Sequence, residues 1–323
     1  MRTAVRQRPF LAAGSRRRLL LAAAVAGAAA AFLVAGLVGA YRYVHGYWLY
    51  RGFSPPHDPA FVHAAGRVET IRVRGAAIGG RSQRVLAYLP PGYDANSAQR
   101  YPVLYLLHGF PGDPGGFVRA IRIGVVEDTL LAEHKLRPMI LVMPFGSTGV
   151  FTDKEWANGI HPDERWEAFV ARDVVRAIDT RYRTIPRGAA RGLGGLSEGG
   201  YASLNIGLHD PDRFHLLESW SGYEKADDIE SIFGGRKSLL DWNSPLLTLP
   251  HAAVRMRRDH SYVWFYSGTE DRYRSENARF AAELARLRVA HHFFSTSGGH
   301  NWGLWRDEAW NALSVASAHL AHD

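Results

Sequence analysis

The pentapeptide Gly195-Leu196-Ser197-Glu198-Gly199 is a G-x-S-x-G pattern, set between a strand-like run and a helix-like run from Tyr201 to His209. A serine on a sharp strand-to-helix turn needs glycines two residues to either side, because a Cβ there would crowd a strained backbone. Such a turn lifts Ser197 Oγ above a sheet and aims the free N–H groups of the following helix at whatever the serine attacks. A hydroxyl is a weak nucleophile near neutral pH, so the chemistry also requires a base and a third group to hold that base in one tautomer. His300 lies in the turn Ser297-Gly298-Gly299-His300-Asn301-Trp302, after a strand-like Ala290 to Phe294. An acid lies in Ser267-Gly268-Thr269-Glu270-Asp271, at the end of the apolar run Tyr262 to Tyr266. Asp271 is preferred over Glu270 because the shorter carboxylate has less rotamer freedom to lose when it orients a ring. Each member also has a plain reading: with 15 histidines some must fall beside glycine, and Glu270-Asp271 could simply open the helix that holds Ser275 and Glu276.

A tetrahedral intermediate needs N–H donors for its oxyanion. One candidate is the backbone N–H of Glu198. The other is the N–H of Phe110, in the turn His108-Gly109-Phe110-Pro111-Gly112-Asp113, where Pro111 has no N–H to offer.

The elements that must position these groups follow from the apolar pattern. Val68 to Arg74 and Arg84 to Leu89 alternate apolar with polar residues, as half-exposed antiparallel strands do. Tyr101 to Leu107, Met139 to Met143, Leu216 to Trp220 and Tyr262 to Tyr266 are nearly continuous apolar runs that fit parallel strands covered on both faces. Between them Phe169, Val170, Val174 and Ile178 fall on one helical face, as do Phe280, Leu284 and Leu287. Strand and helix in alternation predict an α/β fold with a mainly parallel sheet flanked by helices, and the order serine, acid, histidine is that of an α/β-hydrolase. Residues 146–165 and 223–260 pattern less regularly and are expected to be loops or a small cap.

The chain has 323 residues, is 46% hydrophobic and carries a formal charge of +8. Six arginines (2, 6, 8, 16, 17 and 18) crowd the first 18 residues without an acid, leaving 33 basic against 31 acidic residues elsewhere. The basicity is an end effect, which argues against a nucleic-acid partner for the body. There is no cysteine, hence no disulfide, Cys-based zinc site or lipoprotein anchor. From Leu19 to Ala40 run 22 residues without a charge, enough to cross a bilayer core of about 30 Å as a helix. Tyr41, Tyr43, Tyr47, Trp48 and Tyr50 follow, suited to a lipid–water interface. The expected organisation is a basic cytoplasmic arm (1–18), a transmembrane helix or export signal (19–40), a linker containing Ser54-Pro55-Pro56 (41–66), and an extracytoplasmic catalytic domain (67–323). Ser15-Arg16-Arg17-Arg18 resembles a twin-arginine signal, and Val38-Gly39-Ala40 offers small residues to a signal peptidase, so secretion after cleavage is the alternative to an anchor.

Taken together, Leu-Leu-His108-Gly109-Phe110, Asp153-Lys154-Glu155-Trp156-Ala157-Asn158-Gly159, Gly195 to Gly200, Pro211-Asp212-Arg213-Phe214 and Gly299-His300-Asn301-Trp302 with Trp305 resemble the "Putative esterase" family of α/β-hydrolases. That family includes esterase D, feruloyl and enterochelin esterases and the mycobacterial mycolyltransferases. The resemblance covers about residues 68 to 320 and implies a triad of Ser197, Asp271 and His300 with an oxyanion hole at Phe110 and Glu198. It implies a serine esterase acting on a small-molecule, lipid or carbohydrate ester. The alternatives are an acyltransferase passing the acyl group to a sugar or glycerol hydroxyl, and a non-catalytic envelope binding protein. Many relatives carry an uncharged residue after the serine. Here it is Glu198, which is expected to point away from the oxyanion, its carboxylate stabilised by the helix amino end. Trp156, Trp302 and Trp305 are expected near the mouth, and Trp156 and Trp302 are the candidates to flank substrate; the plainer reading of any tryptophan is packing. Adjacent His291 and His292 face opposite sides of a strand and make a poor metal pair, and no cofactor or metal is expected.

Overall fold

The computed structural model describes residues 12–44, 57–95 and 98–322. Arg2, Arg6, Arg8, Tyr47, Trp48, Tyr50 and Ser54-Pro55-Pro56 lie outside the described residues. The chain divides into two units, 1–53 and 54–323. The first is a helix, Ala12–Arg42, long and apolar enough to cross a membrane. It contains the whole Leu19 to Ala40 run. Leu19, Val25, Phe32, Leu33 and Val38 are exposed on every side of it, so it has no apolar stripe of the kind that packs on a protein core.

The second unit is built on an eight-stranded sheet: β1 (Arg67–Arg74), β2 (Ser82–Leu89), β3 (Val103–Leu107), β4 (Ile140–Pro144), β5 (Arg191–Leu196), β6 (Leu216–Trp220), β7 (Tyr262–Gly268) and β8 (His291–Thr296). The strand order is β1-β2-β4-β3-β5-β6-β7-β8. β1 and β2 are antiparallel and every ladder from β3 to β8 is parallel. Alternate residues of one strand feed two separate cores. Val103, Tyr105 and Leu107 face the helical stretch 166–181 and the helices Glu198–His209, Pro245–Arg258 and Arg274–Arg286, while Leu104 and Leu106 face Ile123–Ala132 and Trp302–His319. This explains why the parallel strands read as unbroken apolar runs.

Two expectations are corrected. β2 is buried along most of its length, because Val85, Ala87 and Leu89 lie in one core and Leu86 and Tyr88 in the other; the edges of the sheet are β1 and β8. Residues 223–260 are largely helical, with Glu230–Phe233, Lys237–Trp242 and Pro245–Arg258. The first two helices are too short for a 3.6-residue period to stand out from sequence. Residues 146–165 are irregular as expected, with one isolated bridge between Asn158 and Arg165.

Glu218 on β6 is fully buried, and among the described residues the only hydrogen bond to its carboxyl comes from Trp220 Nε1–H at 3.1 Å. Burial pushes its carboxyl up to about 8, only partly offset by the indole. The folded value lies above the ordinary value of about 4.3, so between these values the unfolded chain gives up its proton first and stability falls as pH rises. We expect Glu218→Gln, which cannot titrate, to narrow the difference in unfolding free energy between pH 5 and pH 8.5 by roughly several kcal/mol. Urea unfolding of the full-length chain in mild detergent measures this, and an unchanged pH dependence in the variant would refute it.

Candidate active site

Ser197 sits between the last residue of β5 and the first turn of Glu198–His209, with φ 56° and ψ −121°. An L-residue is strained there, and the surroundings hold it. Ser197 N–H donates to the Trp220 carbonyl of β6 at 3.0 Å, and the Ser197 carbonyl accepts from Gly200 and Tyr201. The glycine spacing has a steric cause. A Cβ on Gly199 would overlap the Leu107 carbonyl of β3, and one on Gly195 would overlap the Gly199 carbonyl. Serine is thereby raised out of a fully buried strand to a half-exposed position.

The three chemistry-bearing side chains come from three different strand ends. His300 Nε2 lies 2.8 Å from Ser197 Oγ, and His300 Nδ1 lies 3.0 Å from Asp271 Oδ2. With the proton on Nδ1, the ring donates to Asp271 and accepts from the serine hydroxyl. The imidazole is fixed from both sides in sequence. Asn301 caps the next helix, accepting from Gly303 N–H at 3.0 Å and Leu304 N–H at 3.2 Å, while Glu270 N–H donates to the Gly298 carbonyl at 3.0 Å. Tyr273 and Trp305 stand edge-on to the ring, with centroids at 5.6 and 5.0 Å. Burial acts to raise Asp271. Hydrogen bonds from His300 and from Tyr273 N–H, the latter at 3.0 Å, with Ser221 alongside, outweigh it and hold the carboxyl below the usual range. Glu270 is exposed, so the acid that reaches the ring is Asp271.

The turn after β3 touches the serine turn: a Cβ on Gly109 would stand 3.0 Å from Ser197 Cβ and from the Leu196 carbonyl. Among the described residues neither the Phe110 nor the Glu198 backbone N–H donates to another protein group. His108 is clamped beneath, its Nδ1 3.0 Å from the Gly109 carbonyl and its Nε2 accepting from Gly146 N–H at 3.2 Å. Burial pushes this imidazole down to about 4, so it is neutral.

One of the candidate tryptophans is placed differently from expectation. Trp156 is fully buried beneath the turn, donating Nε1–H to the His108 carbonyl at 3.1 Å, so it is packing and not a wall of the mouth. Trp302 is half-buried, in edge contact with the buried Trp305 at 5.1 Å. The Glu198 side chain is also buried. Burial first, then Asp153, Glu155 and Asp227, push its carboxyl well above the ordinary range. The helix end does not hold this carboxyl down, because burial and three neighbouring acids push it up. Sequence reasoning missed Glu155, Tyr223 and Ser221; the first lay in a motif already noted, but nothing local marks it as buried. Among the described residues, no three His, Asp or Glu side chains converge as a metal site.

The "Putative esterase" family matches residues 76–314. An endo-1,4-beta-xylanase/feruloyl esterase of Xylanibacter ruminicola is 33% identical over 146 residues, 44% of this chain and 20% of that protein. An uncharacterized protein of Corynebacterium glutamicum is 24% identical over 233 residues, 68% of this chain and 53% of the other. The chain thus spans between one-fifth and about half the length of these relatives. A ferulic acid esterase structure superposes with a TM-score of 0.71 at 22% identity, covering 80% of this chain and all of that one. Its likeness establishes the α/β-hydrolase fold. With the family match running from before β2 to within the last helix, and so taking in every strand end described above, the chain belongs to the Putative esterase family.

Proposed function

We propose that this chain is a serine carboxylic-ester hydrolase. The observation that carries the reading is the unbroken hydrogen-bond chain Ser197–His300–Asp271, beside two N–H groups without a partner among the described residues. In this reading His300 Nε2 takes the hydroxyl proton as Ser197 Oγ attacks the ester carbonyl, and Asp271 stabilises the imidazolium that forms. The Phe110 and Glu198 N–H groups receive the oxyanion. Collapse expels the alcohol, which takes the proton from His300, and leaves an acyl group on Ser197. Water, deprotonated by the same imidazole, then releases the acid. Half-buried Trp302 is the residue we place against the acyl or alcohol group.

A fluorophosphonate probe should label the wild-type chain and not Ser197→Ala, read on a gel. Equal labelling of both would sink the reading. On a panel of acetyl, longer acyl and feruloyl esters, Ser197→Ala should lose about a million-fold in kcat and Asp271→Asn about ten-thousand-fold. The same panel run with trehalose or diacylglycerol separates hydrolysis from transfer, since transfer product outpacing free acid would make the chain an acyltransferase.

We further propose that Ala12–Arg42 anchors the chain in the cell membrane with the catalytic unit outside the cytoplasm. The arginines before the apolar run and its uniformly apolar surface support this. The chain should stay with membranes through an alkaline carbonate wash and be open to protease on intact spheroplasts. A soluble mature form beginning near Ala40 would instead establish a cleaved signal.

A further inference from the structure

The two oxyanion donors of the esterase reading belong to different turns, one after β3 and one after β5. The β3–β5 ladder ends at Leu107 and Gly195, so it does not itself fix their spacing. We propose that the dipeptide Glu155-Trp156 is a positioning element that staples these two turns together and so sets the separation of the Phe110 and Glu198 N–H groups. This inference rests on the esterase reading.

Trp156 holds the first turn. Its Nε1–H donates to the His108 carbonyl at 3.1 Å, its ring lies 4.8 Å from the His108 ring, and Gly146 is packed too tightly against it to accept a Cβ. Glu155 holds the second. Its backbone N–H donates to Asp153 Oδ1 at 2.9 Å within its own loop, and its side chain reaches across to accept from Tyr223 O–H at 2.7 Å. Tyr223 in turn stacks on Tyr201 of the nucleophile helix, with centroids 4.7 Å apart and planes 8° from parallel. Both staple residues have left-handed backbones, with φ 50° at Glu155 and 49° at Trp156. Two consecutive side-chain-bearing residues in that region are costly, and the conformation persists because both neighbouring turns hold it. It sends one residue to each turn.

The staple also determines the charge beside the oxyanion. The groups around Glu198 are Asp153 and Glu155 from the same loop, Asp227 from the loop after β6, and the phenols of Tyr201 and Tyr223. Lys154, in the same loop, pairs with Glu164 at 2.8 Å, and Arg272 acts to lower Asp227 against its burial. Burial and mutual repulsion push the Glu155 and Glu198 carboxyls well above the ordinary range. A protonated Glu198 leaves the field of its own N–H intact for the oxyanion. Ionised, it would oppose the negative charge forming there, so activity should fall at alkaline pH.

The test uses the full-length chain in mild detergent with p-nitrophenyl acetate from pH 6 to 10, alongside fluorophosphonate labelling. Trp156→Phe keeps an aromatic ring, though a smaller one, and removes the donor; kcat should fall about a hundred-fold with KM within twofold of wild type. If that variant does not fold, as judged by circular dichroism, Tyr223→Phe removes only the hydroxyl bonded to Glu155 and should show the same split. Glu198→Gln is read by the shape of its profile: the alkaline decline relative to its own maximum should disappear, whereas a purely structural role would lower the curve uniformly. Unchanged kcat in the folded Trp156 or Tyr223 variant, or a wild-type alkaline limb in Glu198→Gln, overturns the staple while probe labelling leaves the esterase reading standing. A wild-type chain that takes up no probe overturns both.

Discussion

The site depends on how closely the nucleophile helix approaches the sheet. Gly199 sits against the Leu107 carbonyl so tightly that no side chain fits between them, and this contact holds Ser197 at φ 56°. Relaxing the turn would require the helix to move off β3, exposing Tyr201, Leu204 and Leu208, which are buried against it. The strain at one serine is thus opposed by the apolar area of a whole helix, at about 25 cal/mol per Å². The same approach leaves the Glu198 N–H without an acceptor and brings the Gly109 turn against Ser197. A single packing constraint therefore lifts the hydroxyl and brings the two turns into contact around it.

What could be read from sequence is what local rules determine. Glycine spacing marks the elbow because only steric exclusion forces it. Unbroken apolar runs mark strands such as β3 and β6 because a parallel sheet buries both faces. The serine, acid and histidine could be paired in advance because each lies just beyond such a run, and the hydrogen bonds of Asp271 and His300 join the residues chosen on those grounds. Trp156 and Glu198 were misplaced for the opposite reason. Their surroundings are assembled from residues 108, 146, 153 and 227, which no window of sequence brings together. Glu198 at a helix start looks like an acid held ionised by the helix end. Only the fold places it among three other acids, where burial outweighs the dipole. The helices between 230 and 258 escaped notice because two of them are shorter than two turns, so packing decides their state and periodicity cannot.

Around Ser197 the environment sorts chemically similar groups into different roles. Asp271, Glu155, Glu198 and Glu224 are all buried acids within the same region, yet only Asp271 is held below the ordinary range. It alone receives donors on both oxygens, from His300 and from Tyr273 N–H. Glu224 has neither oxygen bonded, and Glu155 has one oxygen bonded to a tyrosine and the other to nothing. Desolvation is paid in every case, but only donors that favour the ionised form reverse it. His108 follows the same rule with the opposite sign, kept neutral by burial although a carboxylate, Asp113, lies nearby. The outcome is a carboxylate favoured in its ionised form on the far side of the imidazole from the serine, and carboxyls pushed toward the neutral form at Glu155 and Glu198. A positive charge forming on His300 would then be stabilised by Asp271, and a negative charge forming at the two N–H groups would be opposed less by a Glu198 carboxyl pushed toward its neutral form. That is the polarity an acyl-transfer transition state requires.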